Sequence, residues 1–155
     1  MPPAETVKDE SNEIFISRKF FTVRDEPAQL KDLVCGEMLV AELTVTSAAT
    51  RVLSDLVVED LFAGAFEPVH SELDLGVWGR HLGDVDWVMR KDARDDRMLI
   101  FSKKFTLEKG KKAKIFYPVR VVSAGDFVLP GPAVEAMYQP TLRSHRAAER
   151  LSAHH

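Results

Sequence analysis

Leu39, Ala41, Leu43 and Val45 alternate with Val40, Glu42, Thr44 and Thr46. This period of two gives an extended segment one apolar and one mostly polar face. Ala113, Ile115, Tyr117, Val119 and Val121 alternate in the same way with Lys112, Lys114, Pro118 and Arg120. Pro118 lacks an amide hydrogen, which assigns this strand to a sheet edge or a bulge. Val85, Trp87 and Met89 alternate with Asp84, Asp86 and Arg90, predicting a half-buried strand. A charged hairpin turn from Lys91 to Asp96 then leads to its partner, from Met98 to Phe105. Ile14, Phe15, Ile16, Phe20, Phe21 and Val23 mark a strand-rich segment from Glu13, interrupted at Ser17-Arg18-Lys19. A second apolar run spans Val52 to Glu59 after a turn at Ser47 to Thr50, and residues 61–68 read as a packed loop around Gly64. Residues 69–83, with Gly76, Gly79 and Gly83, form an excursion between strands. From Arg143 to Ala153 propensity favours helix, and a final strand also fits. Strands about ten residues apart with turns between them describe an all-β fold, an antiparallel β-sandwich with little helix.

Length places these strands in one unit. The 155 residues are 45% hydrophobic, enough for one ordinary core and too short for two. The expected organisation is a linker or disordered tail over residues 1–12 and a single domain over 13–153. A net charge of -3 and a pI near 6.0 give no general attraction to nucleic acid or anionic membrane. No apolar run approaches the ~20 residues of a membrane span, and the N-terminus lacks a hydrophobic signal core. The chain therefore reads as soluble and without an address, or as a domain cut from a longer secreted protein, with Met1 and His154-His155 as additions. Charge is segregated locally. From Ser54 to Asp96 there are eleven acidic and four basic residues, and from Lys103 to Arg120 seven basic and one acidic. The basic stretch from Lys103 to Lys114 is either a solvated hairpin or a docking surface.

Chemistry-bearing residues are sparse. Asp84, Asp86, Asp92, Asp95 and Asp96 could gather a hard cation, but they lack a regular acidic spacing, and Arg90, Lys91, Arg94 and Arg97 stand ready to neutralise them. His70, His81 and His145 are scattered, without the close spacing that brings two imidazoles to one metal. The single cysteine, Cys35, excludes an internal disulfide, and no sequence signature supplies a base to activate it. No metal, cofactor or catalytic residue is expected. Cys35-Gly36-Glu37-Met38 looks like the Cys-Gly-Glu-Gln tetrad that closes an internal thioester, but methionine cannot provide the acyl group.

The stretch from Gly125 to Pro140 is the most distinctive. Phe127, Val128 and Leu129 begin a strand that Pro130 and Pro132 end, with Gly131 free to turn between them. A stiff loop then presents Met137 and Tyr138 before Pro140 fixes its exit. Two large apolar groups on a surface loop either fold back into the domain's own core or meet something outside it.

The last third carries a family resemblance. Tyr117-x-x-Arg120, Gly125-x-Phe127, Pro130, Glu135, Met137-Tyr138 and Pro140 resemble the C-terminal segment of bacterial alpha-2-macroglobulins, in the tenth macroglobulin-like domain. Val57-Val58-Glu59-Asp60, Gly64 and Glu67-Pro68 look like the same domain's Val-Val-Glu-Asp-x-x-Pro-Ala-Gly-x-Glu-Pro stretch. Asp86-Trp87-Val88 and Arg94-Asp95-Asp96-Arg97 resemble its strand and hairpin. The match runs from about Asn12 to Ala153. Two departures stand out: Leu61-Phe62-Ala63-Gly64 replaces Leu-Pro-Ala-Gly, and Gly131 opens the usual Pro-Pro pair, so a looser loop is expected. The resemblance implies a non-enzymatic domain of a periplasmic or cell-envelope protease trap. In that setting it packs on the thioester domain of the same larger chain. Met137 and Tyr138 shield the thioester until a protease cleaves the bait region, and Gly125, Phe127, Pro130, Pro132, Glu135 and Pro140 brace their loop. Two other readings are an independent adhesion module using the stretch from Lys103 to Lys114, and a metal-dependent enzyme using Asp84, Asp86 and Asp95.

Overall fold

Period-2 alternation becomes sheet faces throughout the computed structural model, which describes residues 10–11, 13–69 and 85–155. Among them are fifteen strands and no helix. One sheet has six strands in the order β1 (Glu10–Ser11), β14 (Gln139–His145), β13 (Ala133–Ala136), β6 (Leu56–Leu61), β9 (Arg97–Ser102) and β8 (Val88–Ala93). A second has the order β2 (Ile14–Thr22), β4 (Met38–Ser47), β11 (Ala113–Val121) and β7 (Phe66–Pro68). Smaller sheets join β12 (Gly125–Leu129), β15 (Glu149–His154) and β3 (Leu33–Val34), and pair β10 (Phe105–Leu107) with β5 (Arg51–Leu53). All pairings are antiparallel except β15 with β3, which run parallel. The inward residues of the sheets meet in one core that includes Leu39, Ala41, Leu43 and Val45 from β4, Val58 from β6, Ile100 from β9 and Val134 from β13.

Several local expectations change. The break at Ser17-Arg18-Lys19 is absent: β2 is continuous and pairs with β4 from Ile14↔Ser47 to Thr22↔Leu39. Arg18 keeps the inward phase of Ile14, Ile16 and Phe20, and it is buried with them. The run from Val52 to Glu59 divides at Asp55, which has φ 54°. The strand expected from Val85 begins at Val88, a register shift lies between Val88 and Arg90, and Met89 is exposed. The tail after Arg143 is strand, in β14 and β15. Glu10 and Ser11, within the segment expected as a linker or tail, pair with His145 and Ser144. The excursion with Gly76, Gly79 and Gly83 lies outside the described residues but for Val69. Pro118 occupies a local edge. Val69 N–H donates to its carbonyl at 3.1 Å, so its missing amide hydrogen faces the β7 side, where pairing begins only at Val119↔Pro68.

Several polar groups on the inward faces are hydrogen-bonded. Ser144 Oγ accepts from Ile16 N–H at 3.2 Å and Ser102 Oγ from Leu56 N–H at 2.9 Å. Asp60, 1% exposed, receives the Arg18 guanidinium (Nη1 to Oδ1, 2.5 Å) on one oxygen and the Tyr117 hydroxyl on the other. A buried carboxylate requires such partners, since an isolated charge cannot be desolvated cheaply. Phe62, buried 6.3 Å from the Tyr117 ring between centroids, stands where the family's proline would be. Its N–H donates to Asp96 carbonyl at 2.9 Å, a bond proline could not make.

Burial, reinforced by the Asp60 charge, pushes the Tyr117 phenol well above its ordinary value. Asp60→Asn should therefore lower the urea-measured stability of the chain by about 3–5 kcal/mol, because Arg18 is left uncompensated. Above pH about 10 unfolded tyrosine ionises while native Tyr117 stays protonated, so stability falls as pH rises through that range. Unfolding curves between pH about 9 and 11 should show a steeper loss for the wild type than for Tyr117→Phe.

Candidate functional site

The chain from Gly125 to Pro140 is two structures joined in series. Residues 125–129 are β12 in the three-stranded sheet, and residues 130–132 cross to the six-stranded sheet, where β13 and β14 form a hairpin with Met137-Tyr138 between them. The expected single braced loop is thus a linker followed by a hairpin tip. Pro130 and Pro132 cannot extend the β12 ladder, and other groups hold their carbonyls: Arg18 Nη1 donates to Pro130 at 3.0 Å and Arg146 N–H to Pro132 at 3.1 Å. Gly131 does not loosen this crossing. A Cβ there would lie 1.9 Å from the Arg146 carbonyl oxygen, so the close approach of two backbones requires glycine.

The other bracing residues fall in different places. Gly125 opens β12 at φ 137°, a conformation side chains rarely adopt. Phe127 is half-buried against the core. Glu135 lies exposed within β13, in register with Val57 and Arg143. Pro140 belongs to β14.

At the tip, Ala136↔Gln139 closes the hairpin, and the β13–β14 register shifts between Glu135 and Ala136. On the other side Ala136 pairs with Leu56, and Met137 N–H donates to the Asp55 carbonyl at 3.1 Å. Met137 is 53% and Tyr138 79% exposed, so neither folds into the core. A polarisable thioether beside an aromatic hydroxyl can fill an irregular apolar gap and donate one hydrogen bond at its edge.

The competing candidates are dispersed. Asp92 pairs with Arg94 at 3.1 Å and Asp96 with Arg97 at 2.9 Å. Donating hydrogen bonds to Asp96 and Glu59 holds the Arg97 guanidinium more firmly protonated, and accepting from Arg97 keeps the Asp96 carboxyl below the usual carboxylate range. Among the described residues no three His, Cys, Asp or Glu side chains gather to hold a metal; Asp84, His70 and His81 lie outside them. Cys35-Gly36-Glu37-Met38 forms a turn: Glu37 Oε1 accepts from Val34 N–H at 2.7 Å, and Arg120 Nη1 donates to the Gly36 carbonyl at 2.9 Å. The basic stretch separates into Lys103 and Lys104 after β9, then Lys109, Lys111 and Lys112 beyond β10, where Lys109 N–H reaches Thr50 Oγ1 at 3.0 Å. Arg18 and Asp55 were not legible as supports of the tip. The phase of Ile14, Ile16 and Phe20 carries a signal for Arg18; nothing local marks Asp55.

Residues 14–141 match the family described as Bacterial Alpha-2-macroglobulin MG10 domain. An alpha-2-macroglobulin from Xylella fastidiosa strain Temecula1 is 29% identical over 153 residues, covering 92% of this chain and 9% of that protein. One from Rickettsia conorii is 27% identical over 128 residues, covering 82% and 6%. The chain thus spans under a tenth of these relatives' length. Among solved structures, Salmonella alpha-2-macroglobulin reacted with methylamine aligns with a TM-score of 0.80 at 25% identity, over 97% of this chain and 10% of that one. Native Escherichia coli alpha-2-macroglobulin from domain MG7 to the C-terminus gives 0.82 at 22%, over 99% and 25%, a likeness of fold.

Tyr117 and Tyr138 are the chain's two tyrosines, one buried and one exposed. Nitration under native conditions should modify Tyr138 alone, and peptide mass spectrometry should locate the nitro group there; equal labelling of Tyr117 would contradict the geometry.

Proposed function

Because the chain belongs to the bacterial alpha-2-macroglobulin MG10 domain family, we propose that it is the C-terminal domain of an alpha-2-macroglobulin-like protease trap. In this role the domain docks on the thioester domain of the same larger chain, in the periplasm or cell envelope, and covers the thioester with Met137 and Tyr138. The observation that carries the reading is the pair's exposure at the tip of a hairpin anchored in a six-stranded sheet. The domain itself performs no catalysis. A thioester carbonyl is open to water and amines, and an apolar cover excludes both; the Met137 side chain adapts to the surface around the acyl group while the Tyr138 ring closes its edge. Cleavage of the bait region by a protease separates the two domains. A nucleophile on the protease then attacks the acyl carbon, the cysteine thiolate leaves, and the protease is held covalently. The similar Salmonella alpha-2-macroglobulin was solved after reaction with methylamine, so a protein of this kind carries an amine-reactive group that a cover would have to guard.

The reading is tested in the full-length parent. Tyr138→Ala should raise methylamine incorporation before any protease is added by about tenfold, equivalent to ~1.4 kcal/mol of lost cover. Incorporation at the wild-type level would overturn it.

A further inference from the structure

The residues that flank the Met-Tyr tip come from separate parts of the sequence. Ala136, just before the tip, pairs with Leu56, and the Asp55 carbonyl receives Met137 N–H. Leu56 N–H in turn donates to Ser102 Oγ at 2.9 Å, and Ser102 pairs with Val88. Lys103 follows at once, its N–H donating to the Trp87 carbonyl at 2.9 Å. The hairpin tip, the Ser54-Asp55 turn, Lys103-Lys104 and the start of β8 therefore lie side by side at one end of the six-stranded sheet. Neighbouring strands are about 4.8 Å apart, so this row spans only about 15 Å. It displays Met137, Tyr138 and Met89, which is 58% exposed, with Lys103 and Lys104 exposed between the methionines. Among the described residues neither lysine is held in an ion pair, whereas Lys114 lies 3.5 Å from Glu42. Lys109, Lys111 and Lys112 lie beyond β10, next to Thr50.

From this placement we infer that Lys103 and Lys104 are the charged flank of the same docking surface as Met137 and Tyr138. Its occupant is the thioester domain of the parent chain, and the exposed apolar tip beside two ammonium groups calls there for an apolar recess bordered by carboxylates. The inference rests on the shielding role proposed above. It assigns to one interface the apolar tip and part of the basic stretch, which the sequence alone leaves as rival readings. The match to this chain covers only 9% of a relative's length, so a parent of that size holds ample surface outside the domain to provide the complement. Charges at the rim of an interface set its register and its salt dependence more than its affinity. The apolar pair supplies the water-excluding contact, and the two ammonium groups orient it.

The test compares full-length variants by basal methylamine incorporation without protease. Lys103→Glu with Lys104→Glu should raise incorporation severalfold, and Lys109→Glu with Lys112→Glu should leave it unchanged. Raising the salt concentration should increase wild-type incorporation and leave Lys103→Ala with Lys104→Ala unaffected. If Tyr138→Ala raises incorporation while reversal at Lys103 and Lys104 does not, the shield stands and this surface is wrong. Equal effects from both lysine pairs would also overturn it, by showing a response to net charge. If Tyr138→Ala changes nothing, the shielding role falls and the inference with it.

Discussion

The Arg18–Asp60 ion pair constrains more of this structure than any apolar contact. Arg18 comes from the four-stranded sheet and Asp60 from the six-stranded sheet, and Tyr117 adds a third strand through its hydroxyl. A one-residue slip of β2 would turn Arg18 outward and leave Asp60 buried with only a neutral partner. The cost of desolvating two charges makes the pair a poor source of net stability but a strong penalty on wrong register. Among the described residues Arg18 Nε and Nη2 are buried without a hydrogen-bond partner, with Glu149 Oε1 3.6 Å from Nη2. The guanidinium is incompletely bonded, so its retention fits a specifying role better than a stabilising one.

The same guanidinium connects the core to the route by which the tip is built. Its Nη1 atom serves both Asp60 and the Pro130 carbonyl, placing the crossing from β12 to β13 over the ion pair. Gly131 then passes against the Arg146 backbone, and Arg146 N–H fixes Pro132. Beyond that point β13 is held between β6 and β14. Rigidity at the tip therefore comes from sheet pairing and the Asp55 carbonyl, and the prolines act upstream, where the chain changes sheets. Gly131 tightens the crossing that a sequence comparison reads as loosened.

Period-2 patterning made β4 and β11 legible because each buries one continuous apolar face. It failed at Arg18, where charge was read as an interruption although the phase never changed. It also failed from Val85 to Met89, where a bulge shifts the phase and exposes Met89. The family motifs identified residues without saying why they belong together. Asp60 and Tyr117 sit in separate matched stretches, and only the folded structure joins them through a hydrogen bond. The sequence singles out Met137 and Tyr138, but their setting as a hairpin tip was hidden because prolines at 130, 132 and 140 suggested one uninterrupted loop. Lys103 and Lys104 separate from the later lysines because β10 moves to pair with β5, a partner that no local pattern identifies.

The tip also breaks the local rule for its own turn. Two-residue hairpin connections favour glycine or asparagine, whose positive φ matches the twist of the paired strands. Met137 and Tyr138 are neither, and neither adopts a positive φ. A turn of that hand splays its strands, and the register shift between Glu135 and Ala136 follows immediately. A bulge adds local twist and re-aims the chain, so it absorbs the mismatch within β14 while β13 remains paired to β6 through Leu56. A sequence selected for the best turn would place small residues here and lose both large side chains. The register shift and the Asp55 carbonyl hold the turn on either side, so two large side chains occupy a connection whose local preference is for small residues.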